Sequence, residues 1–318
     1  MPSAAPVEGT PAWGWAVLRA AALHARSAQP REPGPFALGA DGRLQRVAAG
    51  APDRVLERGR AGEWVSVGAP SEELAALLDL YLPVCAAGPS QPCTIAHLGQ
   101  SLDGHIATSR GDSSYVNGPQ NILHLHRMRA LCDAIVVGAG TIAADDPRLT
   151  ARLAGGASPA RVILDPRRRL EPCHRVFNDG EAETLLVCAS ENAAAAPAHI
   201  GAAQVLPVPC ASGRLDLAVL LERLHERGLY SVFVEGGGTT VSRFLERGLL
   251  DRLQIAVAPL VIGHGRAGLR LPARARIAEA LRPRARVFAM GADILFDCDL
   301  RAPAAAERAG ARVVARIY

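Results

Sequence analysis

The chain contains no lysine, so all 35 of its basic residues are arginine. Recognition of phosphate or carboxylate therefore falls to planar, bidentate guanidinium groups rather than to ammonium point charges. No two cysteines form a CxxC pair; the seven present (Cys85, Cys93, Cys132, Cys173, Cys188, Cys210 and Cys298) are an odd and scattered set. That excludes a zinc knuckle and a disulfide framework, and it fits small buried thiols in a reducing cytoplasm. No run approaches ~20 apolar residues, and no basic segment leads into an apolar core at the start, so neither a membrane span nor a signal peptide is expected. An HExxH or Ser-His-Asp arrangement is missing. His124 and His126 lie two apart on a predicted helix and point to different faces, which excludes joint chelation of a metal. The net charge of +4 is too mild to point to nucleic acid or to an anionic membrane.

What remains is ordinary for a globular enzyme: 318 residues, 49% hydrophobic and 21% charged. Residues 1–90 differ in texture from the rest. Ala12–Ala28 reads as one amphipathic helix closed by Gln29-Pro30, and residues 31–62 show little periodicity. Ser71 followed by Glu72 and Glu73 starts a second helix, with Pro83 expected to end it. The Gly/Pro/Ser stretch Ala86–Pro92 marks a linker, and a boundary falls near residue 90. From Cys93 onward apolar strands alternate with helical segments. The expected strands are Thr94–Leu98, Ala134–Val137, Arg161–Leu164, Thr184–Val187, Gln204–Val208, Ser231–Val234, Leu253–Val257 and Ile294–Cys298. The fold class is therefore α/β, three-layered, with a mostly parallel central sheet, helices on both faces and an antiparallel edge. Residues 91–302 form this domain, 1–90 a small N-terminal extension, and 303–318 a C-terminal tail.

Two glycine turns follow strands. The first, AIVVGAGTIA, carries Gly138, Gly140 and Ala143 in a loose G-x-G-x-x-A dinucleotide pattern, and Asp165 at the end of the next strand mimics the ribose-binding acid. Asp145-Asp146-Pro147 is expected to stop any helix within about one turn, which argues against a standard Rossmann crossover. The second turn runs from Glu235 through Gly236, Gly237 and Gly238 into a helix, where bare N–H groups and the helix dipole suit a phosphate. Arg129 and Arg152 bracket the first turn and form a candidate phosphate clamp. Arg167, Arg168 and Arg169 suit the 2′-phosphate of NADP equally well as a solvated turn. His97 reads as core, and His105 is held open as a functional residue.

Five ordered stretches carry a family resemblance: SLDGHIA (Ser101–Ala107), GDSSYV (Gly111–Val116), His126–Arg152, VILD (Val162–Asp165) and Val234–Gly263. Over residues 92–300 the chain resembles the reductase domain of riboflavin biosynthesis, a dihydrofolate-reductase-like fold commonly joined to a deaminase. The resemblance implies NADPH-dependent reduction of 5-amino-6-(5-phosphoribosylamino)uracil to its ribitylamino counterpart by a cytoplasmic homodimer. It places Gly99, Tyr115, Thr141, Asp145, Gly237, Gly238, Thr239, Thr240, Val241, Ser242 and Arg243 at the dinucleotide, beside Gly138 and Gly140. It places Ser113, Arg129, Leu149, Arg152 and Glu235 at the phosphorylated pyrimidine, with His105 where the family has Lys or Arg. Pro166 replaces a small polar residue near the cofactor. Asp103 and Glu235 are the candidates for proton transfer during ring opening of the ribose. Residues 1–90 lack the H-x-E…P-C-x-x-C zinc signature of the deaminase. The alternatives are a reductase of another phosphorylated pyrimidine or pteridine-like ring, and a nucleotide-binding homologue without turnover.

Overall fold

The computed structural model describes residues 6–27, 32–68, 71–114, 116–194 and 197–301. Tyr115 and the tail from residue 302 lie outside the described residues. The chain opens with helix α1 (Pro11–Arg26), whose N-cap Thr10 accepts a hydrogen bond from the Trp13 amide. Four short strands follow: β1 (Gly34–Leu38), β2 (Leu44–Arg46), β3 (Leu56–Arg58) and β4 (Trp64–Ser66). They form an antiparallel sheet in the order β2-β1-β3-β4. Three of them are three residues long, too short for alternation to be read from sequence, which is why residues 31–62 look aperiodic. Helix α2 (Glu72–Cys85) is capped by Ser71 and carries Glu72 and Glu73 in its first turn. Pro83 lies inside its last turn and does not end it.

The remaining strands are β5 (Cys93–Ser101), β6 (His105–Thr108), β7 (Ala134–Gly138), β8 (Ala160–Leu164), β9 (Thr184–Ala189), β10 (His199–Ile200), β11 (Ala203–Val208), β12 (Cys210–Ala211), β13 (Arg214–Leu215), β14 (Ser231–Glu235), β15 (Arg252–Ala258), β16 (Gly265–Ala267), β17 (Arg284–Met290) and β18 (Asp293–Asp299). The helices between them are α3 (Pro119–Leu131), α4 (Ala139–Asp145), α5 (Ser190–Ala194), α6 (Leu217–Glu226) and α7 (Gly238–Glu246). Ten strands form the main sheet in the order β10-β11-β9-β8-β7-β14-β5-β15-β18-β17. Its seven inner strands from β11 to β15 are parallel, with β10 antiparallel at one edge and the β17–β18 hairpin at the other. The expected α/β class with an antiparallel edge is what the chain adopts.

Alternation along each central strand divides the core between two faces. Ile95, Ile135, Val137 and Phe233 point to the side covered by α1, α2 and α3. Ala96, Ala134, Val136 and Val232 point to the side covered by α6 and α7. The first cluster runs without a break from Val17 and Leu74 in the N-terminal helices to the sheet. Helix α4 has seven residues, about two turns, and ends where Asp146 takes a left-handed conformation at φ 39°. The helix thus reaches further than Asp145-Asp146-Pro147 suggested, because the proline constrains only the residues before it once α4 has already turned twice.

Candidate active site

Because β7 and β14 are parallel neighbours, the helices that follow them start side by side. Gly138 and Gly237 are their N-caps, and neither helix end has a side-chain cap, so the first N–H groups of both are left for a ligand. Each glycine of the second turn has its own reason. Gly236 sits at φ +132°, a region open only to glycine. A Cβ on Gly238 would lie 1.8 Å from the carbonyl oxygen of Gly268, so α7 packs against that loop only without a side chain there. The Gly237 amide donates to Thr141 Oγ1 at 3.4 Å, tying the two turns together.

These turns form the floor of a cavity of about 960 Å³ at the carboxyl ends of β5, β7, β8 and β14. Gly99, Gly138, Gly140, Thr141 and Asp145 line it from β5 and from the β7–α4 turn. Gly237, Gly238, Thr239, Thr240 and Arg243 line it from the β14–α7 turn, with Ser113 and Glu235 alongside. Val241 and Ser242 do not: they fall on the buried face of α7, and Ser242 Oγ accepts from the Arg270 amide at 2.7 Å. Helical rotation puts Arg243 on the cavity side and its two predecessors in the core.

Asp103 is also displaced from its expected role. It accepts from Ser101 Oγ at 2.5 Å and from the Ile262 and Gly263 amides at 3.2 and 2.7 Å, pinning the β5–β6 turn to the loop before β16. Those donors, Ser101 foremost, hold its carboxyl well below the usual carboxylate range, so it has no proton to deliver near neutral pH. It does not line the cavity, nor does His105, whose Nδ1 lies 3.4 Å from Asp103 Oδ2.

Arg129 is not a free clamp. Its Nε and Nη2 grip both oxygens of Glu235 at 2.8 and 2.5 Å, and its Nη1 donates to the Thr150 carbonyl at 3.1 Å. Arg152 is exposed and reaches Thr150 Oγ1 at 3.5 Å, so the two arginines converge on Thr150 beside the main cavity rather than on its floor. Leu149, expected at the substrate, is buried in the core and does not line the cavity; its φ of +57° is a strained setting for a leucine.

Other cavity residues escaped sequence reasoning. Asn117, Asn121 and His97 line it. His97 Nε2 pairs with Asn121 Oδ1 at 3.1 Å, and burial pushes the imidazole down to about 4, against the opposing pull of Glu235. Nothing in the strand Cys93–Ser101 distinguishes such a histidine from a core one. Arginines gather around the same space. Arg167 and Arg169 enter from the loop after β8, Arg243 from α7, and Arg266 and Arg270 from the opposite wall, while Arg168 does not line it. None of the five forms an ion pair among the described residues. No group of three or more His, Cys, Asp or Glu side chains among the described residues can hold a metal ion. No described helix is long and apolar enough to cross a membrane.

Residues 92–285 match the family model of the RibD C-terminal domain. The chain belongs to the RibD C-terminal domain family. A relative from Methanothermobacter thermautotrophicus, named 2,5-diamino-6-ribosylamino-4(3H)-pyrimidinone 5′-phosphate reductase, is 38% identical over 178 residues, covering 54% of this chain and 80% of that protein. The riboflavin biosynthesis protein RibD of Escherichia coli is 32% identical over 197 residues, 58% of this chain and 53% of that one. The chain thus spans about half the length of the RibD proteins it matches. Among solved structures, the deaminase/reductase of Thermotoga maritima superposes with a TM-score of 0.56 at 28% identity, covering 72% of this chain and 61% of that one. The yeast reductase Rib7 shares the fold at 21% identity and a TM-score of 0.52.

Proposed function

We propose that this chain is an NADPH-dependent oxidoreductase that reduces the ribosyl group of a phosphorylated ribosylaminopyrimidine to the ribitylamino product. The observation that carries the proposal is the cavity itself, in which two glycine turns at helix N-termini and five arginines without an ion pair among the described residues surround one space, in a chain 38% identical to a relative named as a ribosylaminopyrimidinone 5′-phosphate reductase. Five guanidinium groups without an ion pair among the described residues suit a ligand with several phosphate charges, as a dinucleotide phosphate and a sugar phosphate together provide.

The floor fits a dinucleotide. A Cβ on Gly140 would meet nothing within 4 Å, and one on Gly237 would meet only Thr141 Oγ1 at 4.0 Å. Both therefore open onto the cavity at positions where a side chain would fill the cradle. The residues that would hold the cofactor are Gly138–Thr141 and Gly237–Thr240, with the first-turn amides of α4 and α7 available to its pyrophosphate and Arg167 and Arg169 to its 2′-phosphate. When bound, the nicotinamide supplies a hydride to C1′ of the substrate ribose. The chain's own residues orient the substrate. Glu235, held rigid by the Arg129 fork, accepts a hydrogen bond from it, Ser113 and Asn121 flank it, and Arg152 reaches its phosphate.

Two pyrimidines differing at C2 satisfy this description: the 5-amino uracil and the 2,5-diamino pyrimidinone. The higher identity to the Methanothermobacter enzyme, over four fifths of that protein's length, favours the diamino compound as a second reading. The test incubates the full chain with NADPH and each pyrimidine phosphate and identifies the ribitylamino product by mass spectrometry. Turnover of either supports the proposal, and the ratio of the two kcat/KM values selects the substrate. No oxidation of NADPH with either compound overturns it.

A further inference from the structure

Residues 6–92 take no part in the chemistry described so far, yet a buried hydrogen-bonded chain joins them to the cavity wall. Tyr81 on α2 places its hydroxyl 2.8 Å from His124 Nδ1 on α3, and His124 Nε2 lies 2.9 Å from Gln254 Oε1 on β15. Gln254 Nε2 donates to Asp297 Oδ1 at 3.2 Å, which fixes the Gln254 oxygen as the acceptor facing His124. His124 therefore carries its proton on Nε2, and its bare Nδ1 accepts from the Tyr81 hydroxyl.

The chain closes back on α2. Asp297 is gripped by Arg286, whose Nη1 also donates to the Asp79 carboxylate at 2.5 Å and to the Asp79 carbonyl at 2.7 Å. That carbonyl is the one Pro83 cannot serve, since proline has no N–H to return four residues along the helix. A residue from the far edge of the sheet thus fills the gap that Pro83 leaves, and α2 is fastened at Asp79 and at Tyr81. The Arg127 guanidinium on α3 also lies over the Trp15 and Tyr81 rings at 5.6 and 5.9 Å.

On its other side His124 approaches the cavity. Its ring centroid is 5.3 Å from that of His97, and Asn121, one turn before His124, bonds His97 at the cavity wall. Burial pushes His97 and His124 down to about 4 and about 3, so both imidazoles are neutral at physiological pH.

We propose that Tyr81 is a positioning residue of the reductase cavity: through His124 it sets α3, and with α3 the Asn121–His97 pair, against the substrate. Residues 6–92 are then a working part of the reductase site rather than an independent module. The inference rests on the reductase reading above.

The test compares Tyr81→Phe with Val55→Ala in the full chain. Val55 is a buried core residue of the same N-terminal unit, and its backbone hydrogen bonds run to Phe36 and Val67 rather than to any member of the chain. Tyr81→Phe leaves His124 Nδ1 without its donor and is expected to lower kcat/KM for the pyrimidine phosphate roughly tenfold, well below the unfolding temperature, with NADPH affinity unchanged. Val55→Ala is expected to leave kcat/KM within about twofold. Equal losses in the two variants, or no loss in Tyr81→Phe, overturn the proposal. Amide hydrogen exchange over residues 119–126 decides the point without turnover, rising in Tyr81→Phe and not in Val55→Ala. If the unmodified chain oxidises NADPH with neither pyrimidine, the reductase reading falls, and unchanged exchange in Tyr81→Phe sinks the positioning role separately.

Discussion

Two buried, neutral histidines make the stability of this protein sensitive to mild acid. His97 and His124 are 3% and 1% exposed, and burial lowers them from the ordinary 6.5 to about 4 and about 3. In the unfolded chain both take up protons as pH falls through about 6.5. In the fold they resist until far lower. Between pH 6.5 and about 4 the unfolded state therefore binds more protons than the folded one, and stability falls as pH falls. Each imidazole accounts for about 2 kcal/mol between pH 7 and pH 5, so the pair accounts for about 4 kcal/mol, a large share of the ~5–15 kcal/mol that holds a typical domain. His126 and His225 are shifted in the same direction and add to the loss. The lowered carboxyls of Asp179 and Asp297 release their contribution only as pH drops below about 4, outside this window. Urea unfolding at pH 7, 6 and 5 should show a falling free energy at constant m-value, and His97→Asn should reduce the fall by about 2 kcal/mol. A free energy constant from pH 7 to pH 5 would refute the buried-neutral assignment.

Further outcomes follow from the cavity. Glu235→Ala strands the Arg129 guanidinium, whose side chain is 9% exposed, and should cost about 3 kcal/mol in urea unfolding along with most of kcat/KM. Gly140→Leu projects into open cavity, so the melting temperature should hold or rise while NADPH affinity, read by fluorescence titration, falls at least about tenfold. Arg167→Ala with Arg169→Ala should abolish most of the preference for NADPH over NADH, with NADH affinity little changed.

Much of this architecture is legible in the sequence because burial on both faces leaves continuous apolar runs. Strands β5, β7, β8, β9, β11, β14, β15 and β18 all begin or end within a few residues of those runs. The two glycine turns are legible for the same reason, since each follows such a run directly. The site's wiring is not. Arg129 meets Glu235 across 106 residues of chain, and Asp103 meets Ile262 and Gly263 across about 160, so no local pattern encodes either pairing. Val241 and Ser242 look identical to their cavity neighbours in a motif and differ only by their angle around α7. His97 gives no sign of the cavity beside it, because a strand buried on both faces hides which side is open. The N-terminal sheet stays hidden because three of its four strands are three residues long, too short to show a period.

The most direct measurement of the central claim follows NADPH absorbance in the presence of the two phosphorylated ribosylaminopyrimidines, with the product identified by mass. Stoichiometric oxidation of NADPH with formation of a ribitylamino phosphate is the predicted result. Tight NADPH binding with no oxidation by either compound would contradict it and leave a nucleotide-binding protein without this chemistry.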